Sequence, residues 1–152
     1  MLNYYKMKET AGLFLVRKDN KILGCHPTNS KKDFFSITKG GIDDGERPLD
    51  AAIRETFEEC NVDVSDFVAI HTLTKKIHNT KKKALQPFVL FEKENNFDFS
   101  KFELKCNSNV PEEIGGFPEM DGYKWFTFDE VKKHFYHAQV ECLDEIIKLN
   151  NI

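Results

Sequence analysis

A glutamate-rich helix that follows a glycine turn is the feature that most limits how this chain can fold. Residues 40–62 read GGIDDGERPLDAAIRETFEECNV. Pro48 suits the first turn of a helix, and apolar residues then recur at helical spacing. Asn61 tolerates the left-handed conformation and can end the helix. The pattern therefore predicts an amphipathic helix over 48–60, with a core-facing side formed by Leu49, Ile53, Phe57 and Cys60.

Three carboxylates crowd the other side of this predicted helix. Glu55, Glu58 and Glu59 are spaced i, i+3, i+4, so they fall within about 100° of arc. Like charges this close raise each other's pKa values, and a divalent cation removes the conflict. Oxygen ligands with open positions suit Mg²⁺, which also takes phosphate oxygens. The triplet alone nevertheless fits a solvated acidic helix face better, because such faces are common.

The residues around the triplet favour a metal site instead. Gly40 and Gly41 follow a predicted strand, where the lack of a side chain lets the backbone approach a metal or phosphate closely. The complete pattern is G-x5-E-x7-R-E-x-x-E-E, and it resembles the Nudix box of the Nudix hydrolases. The matching positions are Gly40, Glu46, Arg54, Glu55, Glu58 and Glu59.

The resemblance implies chemical roles for the acidic side chains. Glu58 and Glu59 would be metal ligands, together with the backbone carbonyl of Gly40. Glu55 would be either a further ligand or the base that deprotonates the attacking water. The implied cofactor is Mg²⁺, with Mn²⁺ as a substitute.

The remaining box positions concern how the helix is held. The resemblance implies that Arg54 bridges Glu46 and Glu55, a geometry that a guanidinium fork suits. The chain departs from the family pattern twice, with Thr56 where a bulky aliphatic residue is preferred and Asn61 where glycine is preferred. Thr56 can be buried if its hydroxyl bonds to the helix backbone, and Asn is the commonest substitute for a left-handed Gly. Neither departure touches the acidic face.

Three further resemblances lie outside the box. Glu119 precedes Trp125 by six residues, and in some relatives a Glu at that spacing is a metal ligand or general base; the alternative is an exposed loop carboxylate. Lys39 could contact a phosphate, as in the PKG start of dinucleoside polyphosphate hydrolases, although Thr38 replaces the Pro here. Ala138 and Gln139 match an Ala-Gln pair found in a bacterial branch of the family, and we interpret this pair as part of the fold.

Short apolar runs predict a sheet around the acidic helix. Predicted strands cover 11–16, 22–25, 34–38, 67–73, 85–91 and 123–126, and predicted helices cover 129–135 and 139–149. Pro87 predicts an edge or bulged strand, and Asp129 is the predicted helix cap. The pattern indicates a layered α/β or α+β domain. The resemblance implies one domain over 1–152, an α/β/α sandwich with a mixed central sheet and a catalytic loop–helix.

Composition excludes several classes of protein. With 25 acidic and 22 basic residues the formal net charge is -3, so nucleic acid is an unlikely general partner. Four cysteines without CxxC spacing predict reduced thiols in a cytoplasmic protein, and no apolar run is long enough to span a membrane. The sequence is compatible with a homodimer.

Substrate identity is weakly encoded. Lysines of the 75–83 region could steer a polyanion, but a solvated hairpin turn that protects a strand edge is the simpler interpretation. These lysines are Lys75, Lys76, Lys81, Lys82 and Lys83. Some aromatic residues could stack on a base, although core packing is the simpler role for most of them: Phe34, Phe35, Phe117 and Tyr123.

The function that the resemblance implies is hydrolysis, with Mg²⁺, of a phosphoanhydride bond in a nucleoside diphosphate linked to another group. The expected substrates are small nucleotides: a dinucleoside polyphosphate, a nucleotide sugar or a nucleoside triphosphate. The alternatives are a catalytically silent nucleotide-binding module and a 5′-end RNA pyrophosphohydrolase.

Overall fold

The computed structural model describes residues 8–65, 69–80, 83–94 and 97–151, without the side chains of 78–80. Its strands are β1 (Lys8–Val16), β2 (Lys21–Pro27), β3 (Thr38–Gly41), β4 (Ile70–Thr72), β5 (Ile77–Thr80), β6 (Lys83–Phe91) and β7 (Met120–Thr127). Its α-helices are α1 (Pro48–Cys60), α2 (Phe128–His134), α3 (His137–Val140) and α4 (Leu143–Asn150).

Within the described residues the seven strands form one mixed sheet, in the order β4-β6-β1-β2-β7. β1 and β6 are parallel along their whole length, from Lys8 opposite Lys83 to Val16 opposite Phe91. The other pairings between strands are antiparallel, with β3 beside the first half of β1 and β5 beside the start of β6. The apolar run of β1 is buried on both faces, as a central strand covered by two layers requires.

Alternate residues of β1 contribute to two different cores. Leu13 and Leu15 pack with α1 residues such as Ala52 on one face of the sheet. Phe14 and Val16 face the other side and pack with residues of α2 and α4. This two-sided packing forms helix, sheet and helix layers, so the predicted α/β/α sandwich with a mixed central sheet is confirmed.

The prediction that Pro87 marks an edge or bulged strand is wrong, because the register of β6 with β1 continues through Pro87 without a shift. β6 is interior, with β1 on one side and β4 and β5 on the other. Pro87 falls between the part of β6 that pairs with β5 and the part that pairs with β4. Its carbonyl still accepts a bond from the Leu73 amide (3.1 Å), so the missing N–H coincides with a change of partner strand.

Three element boundaries also differ from prediction. The strand predicted over 34–38 begins only at Thr38 and includes both glycines, whereas Phe35 and Ser36 form isolated bridges. The strand predicted over 67–73 is observed at Ile70–Thr72, and Phe67 lies outside the described residues. α2 starts one residue earlier than predicted and is capped by Thr127, whose side chain forms a capping box with Glu130.

The predicted final helix is broken into α3 and α4. The Cys142 amide bonds to the Gln139 carbonyl (3.1 Å), which tightens the chain between the two pieces. Gln139 anchors α3 through its buried side chain, while Leu143 and Ile146 carry α4 into the core. No α-helix in the described ranges is long and apolar enough to cross a lipid bilayer.

Candidate functional site

Helix α1 has the predicted ends and most of the predicted buried face, since Cys60 is buried and Leu49 and Ile53 pack against the core. Pro48 lies at its start, and Asn61 ends it in the left-handed conformation (φ 67°). Phe57, predicted to face the core, is 45% exposed, whereas Glu59 is only 3% exposed. Most of its fully buried residues are small, which allows close packing on β1 and β3. The buried set is Ala51, Ala52, Thr56, Glu59 and Cys60.

Both departures from the box pattern have structural partners. The Thr56 hydroxyl donates to the Ala52 carbonyl (2.8 Å) and shares a hydrogen bond with the Thr38 hydroxyl (2.7 Å). That second bond links α1 to β3. The Asn61 amide group donates to the Glu103 carbonyl (2.9 Å) and its oxygen accepts from Asn107 (2.9 Å), so the capping residue also holds the loop after β6.

Arg54 is the centre of an ion-pair network at the start of the acidic face. Its guanidinium donates twice to Glu46 (3.0 Å each), once to Glu55 (2.9 Å) and once to the Gly41 carbonyl (2.8 Å). A longer contact reaches Glu58 (3.3 Å). The hydrogen bonds from Arg54 hold the pKa of Glu46 below its usual value. The expected contacts of Arg54 with Glu46 and Glu55 are thus present.

Glu55 lies directly against the glycine turn. A Cβ placed on Gly40 would overlap the Glu55 carboxylate, so only glycine leaves room for this contact. Burial and the neighbouring charge of Glu58 raise the pKa of Glu55 to about 7, although Arg54 opposes the shift. A carboxyl group with such a pKa can exchange a proton near neutral pH.

Glu59 is the most buried of the three helix carboxylates. Its side chain accepts a hydrogen bond from the Lys39 backbone amide (2.8 Å), and its own carbonyl accepts from the Tyr123 hydroxyl. Burial raises the pKa of Glu59 well above its usual value, and the charges of Glu55 and Glu119 add to the effect. Three acids from two separate segments therefore influence one another electrostatically.

Glu119 approaches this group from the loop before β7. Its carbonyl accepts from the Thr28 amide (3.0 Å), and its own amide donates to the Ser108 carbonyl (3.0 Å). The two bonds fix the backbone of Glu119 between the turn after β2 and the 106–110 segment.

A cavity of about 660 Å³ joins several of the predicted site residues. Lys39, Glu59 and Glu119 line it, whereas Glu55 and Glu58 lie outside its lining, beside Arg54. The full lining is Pro27, Thr28, Phe34, Ser36, Lys39, Glu59, Lys83, Val110, Phe117, Glu119, Met120, Tyr136 and Gln139. Such a volume suits a nucleotide-sized ligand.

The carboxylates are grouped, but they do not converge on one point. Among the described residues, no three His, Cys, Asp or Glu side chains form a ready-made metal cage. The reason is visible in their contacts, because Arg54 holds Glu55 and Glu58 while the Lys39 amide holds Glu59.

Several cavity residues were not assigned a site role from the sequence. Thr28 and Ser36 lie close together in the chain, Tyr136 lies far from both, and no local motif marks any of the three. Lys83 was grouped with a solvated turn, but it borders the cavity. Lys75 and Lys76 instead form exposed ion pairs with Glu141 (2.6 Å) and Glu9 (3.4 Å), and Lys81 and Lys82 lie outside the described residues.

A family model described as the NUDIX domain matches residues 6–145. The chain belongs to the Nudix family. Members of this family generally use divalent metals such as Mg²⁺ and act on small nucleotide substrates.

Curated Nudix relatives share moderate identity with the chain. An RNA pyrophosphohydrolase of Vibrio cholerae is 32% identical over 100 residues, covering 62% of this chain and 56% of the relative. An RNA pyrophosphohydrolase of Baumannia cicadellinicola is 27% identical over 135 residues, covering 84% of this chain and 81% of the relative. The chain thus spans little more than half the length of the first of these relatives.

Solved Nudix structures share the fold over nearly the whole chain. An Ap4A hydrolase complex of C. elegans has a TM-score of 0.69 at 21% identity, covering 95% of this chain and 98% of that one. A MutT NUDIX hydrolase of Burkholderia pseudomallei has a TM-score of 0.66 at 17% identity, with 91% and 97% coverage. At these identities the likeness concerns the fold.

Proposed function

We propose that this Nudix chain is an enzyme that hydrolyses a phosphoanhydride bond in a nucleoside diphosphate linked to another group, with Mg²⁺. The observation that carries the proposal is the cavity that brings Glu59 of the acidic helix together with Glu119 and Lys39. The expected substrates are a dinucleoside polyphosphate, a nucleotide sugar or a nucleoside triphosphate. We also propose one domain for residues 1–152, supported by a family match that covers 6–145.

The donor set fits a hard divalent cation. Glu55, Glu58 and Glu59 offer only oxygen atoms, and the Gly40 carbonyl is a further proposed ligand. Burial raises the pKa values of Glu55 and Glu59, and the neighbouring carboxylates add to both shifts; a bound cation would relieve that repulsion. Because Gly40 has no Cβ, its backbone and the Glu55 carboxylate can lie close together. Mn²⁺, with similar oxygen preferences, is the proposed substitute.

The proton acceptor is either Glu55 or Glu119. Glu55, with a pKa of about 7, is suited to take a proton from water near neutral pH. Glu119 borders the cavity from the loop before β7 and can accept a proton from a water molecule held there. When bound, Mg²⁺ supplies charge neutralisation of phosphate oxygens and a lowered pKa of water.

The two basic residues have separate proposed roles. Lys39 lines the cavity, so its ammonium group can bind a substrate phosphate. Arg54 is a positioning residue, because its hydrogen bonds hold Glu46, Glu55 and the Gly41 carbonyl in one arrangement. Replacing Arg54 would let the carboxylates of the acidic face change position, but it would not remove a reacting group.

A second candidate function is that of a 5′-end RNA pyrophosphohydrolase, which releases pyrophosphate from the 5′ end of RNA. The names of the relatives from Vibrio cholerae and Baumannia cicadellinicola favour it. The net charge of -3 argues against a general attraction for RNA. A silent nucleotide-binding module is the third possibility, and the complete set of box carboxylates argues against it.

A substrate panel tests these alternatives. The full chain is incubated with about thirty nucleoside diphosphate derivatives and with triphosphate-ended RNA, in Mg²⁺, in Mn²⁺ and in excess chelator. Metal-dependent release of a nucleoside monophosphate supports the first function, and faster turnover of the RNA supports the second. If the folded protein hydrolyses nothing in the panel while still binding nucleotides, it is a binding module and the enzyme proposal is wrong.

A further inference from the structure

The cavity lining includes both charged and aromatic side chains, and the proposed function uses only charged ones. The charged kind comprises Lys39, Lys83, Glu59 and Glu119. The other kind is aromatic and comprises Phe34, Phe117 and Tyr136, three residues that hydrolysis itself does not require. We call these three residues the aromatic trio. The ligand inferred for these residues depends on the proposal that the substrate is a nucleotide.

Two members of the trio are brought to the cavity by one backbone bridge. Phe35 and Phe135 pair in a parallel bridge, and the Phe35 amide donates to the His134 carbonyl (2.9 Å). Side chains alternate along extended backbone, so the rings of 35 and 135 enter the core while their neighbours Phe34 and Tyr136 face the opposite way. Both of these neighbours border the cavity.

Phe117 reaches the cavity from the other side of β2. Ser36, two residues after Phe34, bridges Cys25 on one side of that strand, while β7 pairs with it on the other. Phe117 lies in the loop that leads into β7. Its ring packs against Gly115, where a Cβ would come within 2.8 Å of it, and its carbonyl accepts from the Val110 amide (2.9 Å). The aromatic trio therefore draws on segments from both sides of β2.

The amide and aliphatic hydroxyl side chains that line the cavity are already engaged within the protein. Gln139 is fully buried, with its oxygen bonded to the Ile37 amide (3.2 Å) and its nitrogen donating to the Ser36 hydroxyl (3.0 Å). The Ser36 hydroxyl donates to the Ile37 carbonyl (2.9 Å), and the Thr28 hydroxyl donates to the Pro118 carbonyl (2.6 Å). These groups are poorly placed to read the edge of a base.

We propose that the aromatic trio binds the nucleobase of the substrate by stacking, with little discrimination among the four common bases. Every base has an aromatic face, so stacking tolerates all of them, whereas discrimination needs hydrogen bonds to base edges. The phosphates would then extend towards Lys39, Lys83 and Glu59, which line the same cavity. The substrate class is any nucleotide whose base is unpaired and can enter the cavity.

Binding of uncleavable analogues tests this proposal separately from hydrolysis. The probes are the α,β-methylene diphosphates of adenosine, guanosine, cytidine and uridine, with ribose 5-(α,β-methylene)diphosphate as the base-free control, each titrated calorimetrically in Mg²⁺. We expect the four dissociation constants to agree within about tenfold, and the base-free control to bind about 5- to 150-fold more weakly, the range that stacking contributes.

Variants assign the effect to the aromatic trio. Phe117→Leu and Phe34→Leu should each weaken all four nucleotide analogues by a similar factor and leave the base-free control unchanged. Phe102→Leu, in an aromatic cluster outside the cavity lining, is the matched control and should change neither. Two variants are used so that a folding defect in one leaves the other as a test.

The outcomes separate this inference from the proposed function. Equal binding of nucleotides and the base-free control, or a preference above about a hundredfold for one base, would overturn the stacking proposal even if the protein hydrolyses nucleotides. Base-tolerant binding that is lost in the Phe117 and Phe34 variants would uphold it even if the panel revealed no hydrolysis.

Discussion

Gly40 leaves no room for a side chain beside the Glu55 carboxylate, and a single added methyl group tests the importance of this contact. A Cβ at position 40 would overlap the Glu55 carboxylate, so Gly40→Ala should displace Glu55 and cut turnover by at least about tenfold, since small misplacements of reacting groups are costly. The measurement is the steady-state rate on the best panel substrate, with the unfolding midpoint recorded beside it.

Gly41 supplies the matched control for this substitution. A Cβ there would meet only Lys8, at an ordinary contact distance of 3.5 Å. Gly41→Ala should therefore keep most of the activity. Equal rates for the two variants would show that the Glu55 contact has no functional weight.

Loss of charge at Glu58 or Glu59 is the second residue-level prediction. Glu59→Gln keeps an oxygen that can accept from the Lys39 amide but removes the negative charge. We expect Glu58→Gln and Glu59→Gln each to lower kcat by at least about 100-fold, as for loss of a principal charge-stabilising group, while the fold persists. Glu112→Gln, an exposed position, is the control. Wild-type kcat in both box variants would contradict their assignment as ligands.

At the level of elements, local signals predicted the ends of α1 and tertiary packing decided its faces. Pro48 and Asn61 act on the backbone next to them, so their effect could be read from the sequence. The burial of Glu59 and the exposure of Phe57 depend on which side the sheet covers. A periodicity argument places apolar residues on one face, but it cannot reveal that a functional carboxylate lies on the buried side.

The cap of α2 offers an element-level test of stability. The Thr127 hydroxyl accepts from the Glu130 amide, and the Glu130 side chain accepts from the Thr127 amide. Thr127→Ala should lower the free energy of unfolding by about 1 kcal/mol, measured by urea denaturation, whereas Thr127→Ser should retain most of it. Activity per folded molecule should not change, because α2 lies away from the acidic face.

At the level of the whole molecule, the box motif indicated the fold family, but the cavity could not be foreseen. Its lining combines residues from the turn after β2, the segment before β3, the loop before β7 and α3. These segments meet only because β2 lies between β7 and the bridge at Ser36. Spacing within one segment carries no information about such long-range pairings.

Gln139 links the C-terminal helical layer to the sheet, as its interpretation as a fold residue suggested. Replacing it with Leu would leave the Ile37 amide and the Ser36 hydroxyl without their buried partner. Gln139→Leu should therefore lower the free energy of unfolding by about 1–3 kcal/mol, measured by chemical denaturation. An unchanged unfolding midpoint would mean that the two bonds do not stabilise this layer.

Binding of Mn²⁺ to the acidic helix is the measurement that tests the central claim most directly. Electron paramagnetic resonance follows the loss of free Mn²⁺ as wild-type protein and a Glu58→Gln, Glu59→Gln double variant are added. We predict saturable binding to the wild type, displaced by excess Mg²⁺, and no measurable binding to the folded double variant. Equal binding by the two proteins, or no binding by either in the presence of a nucleotide, would contradict the metal-dependent hydrolase proposed for this chain.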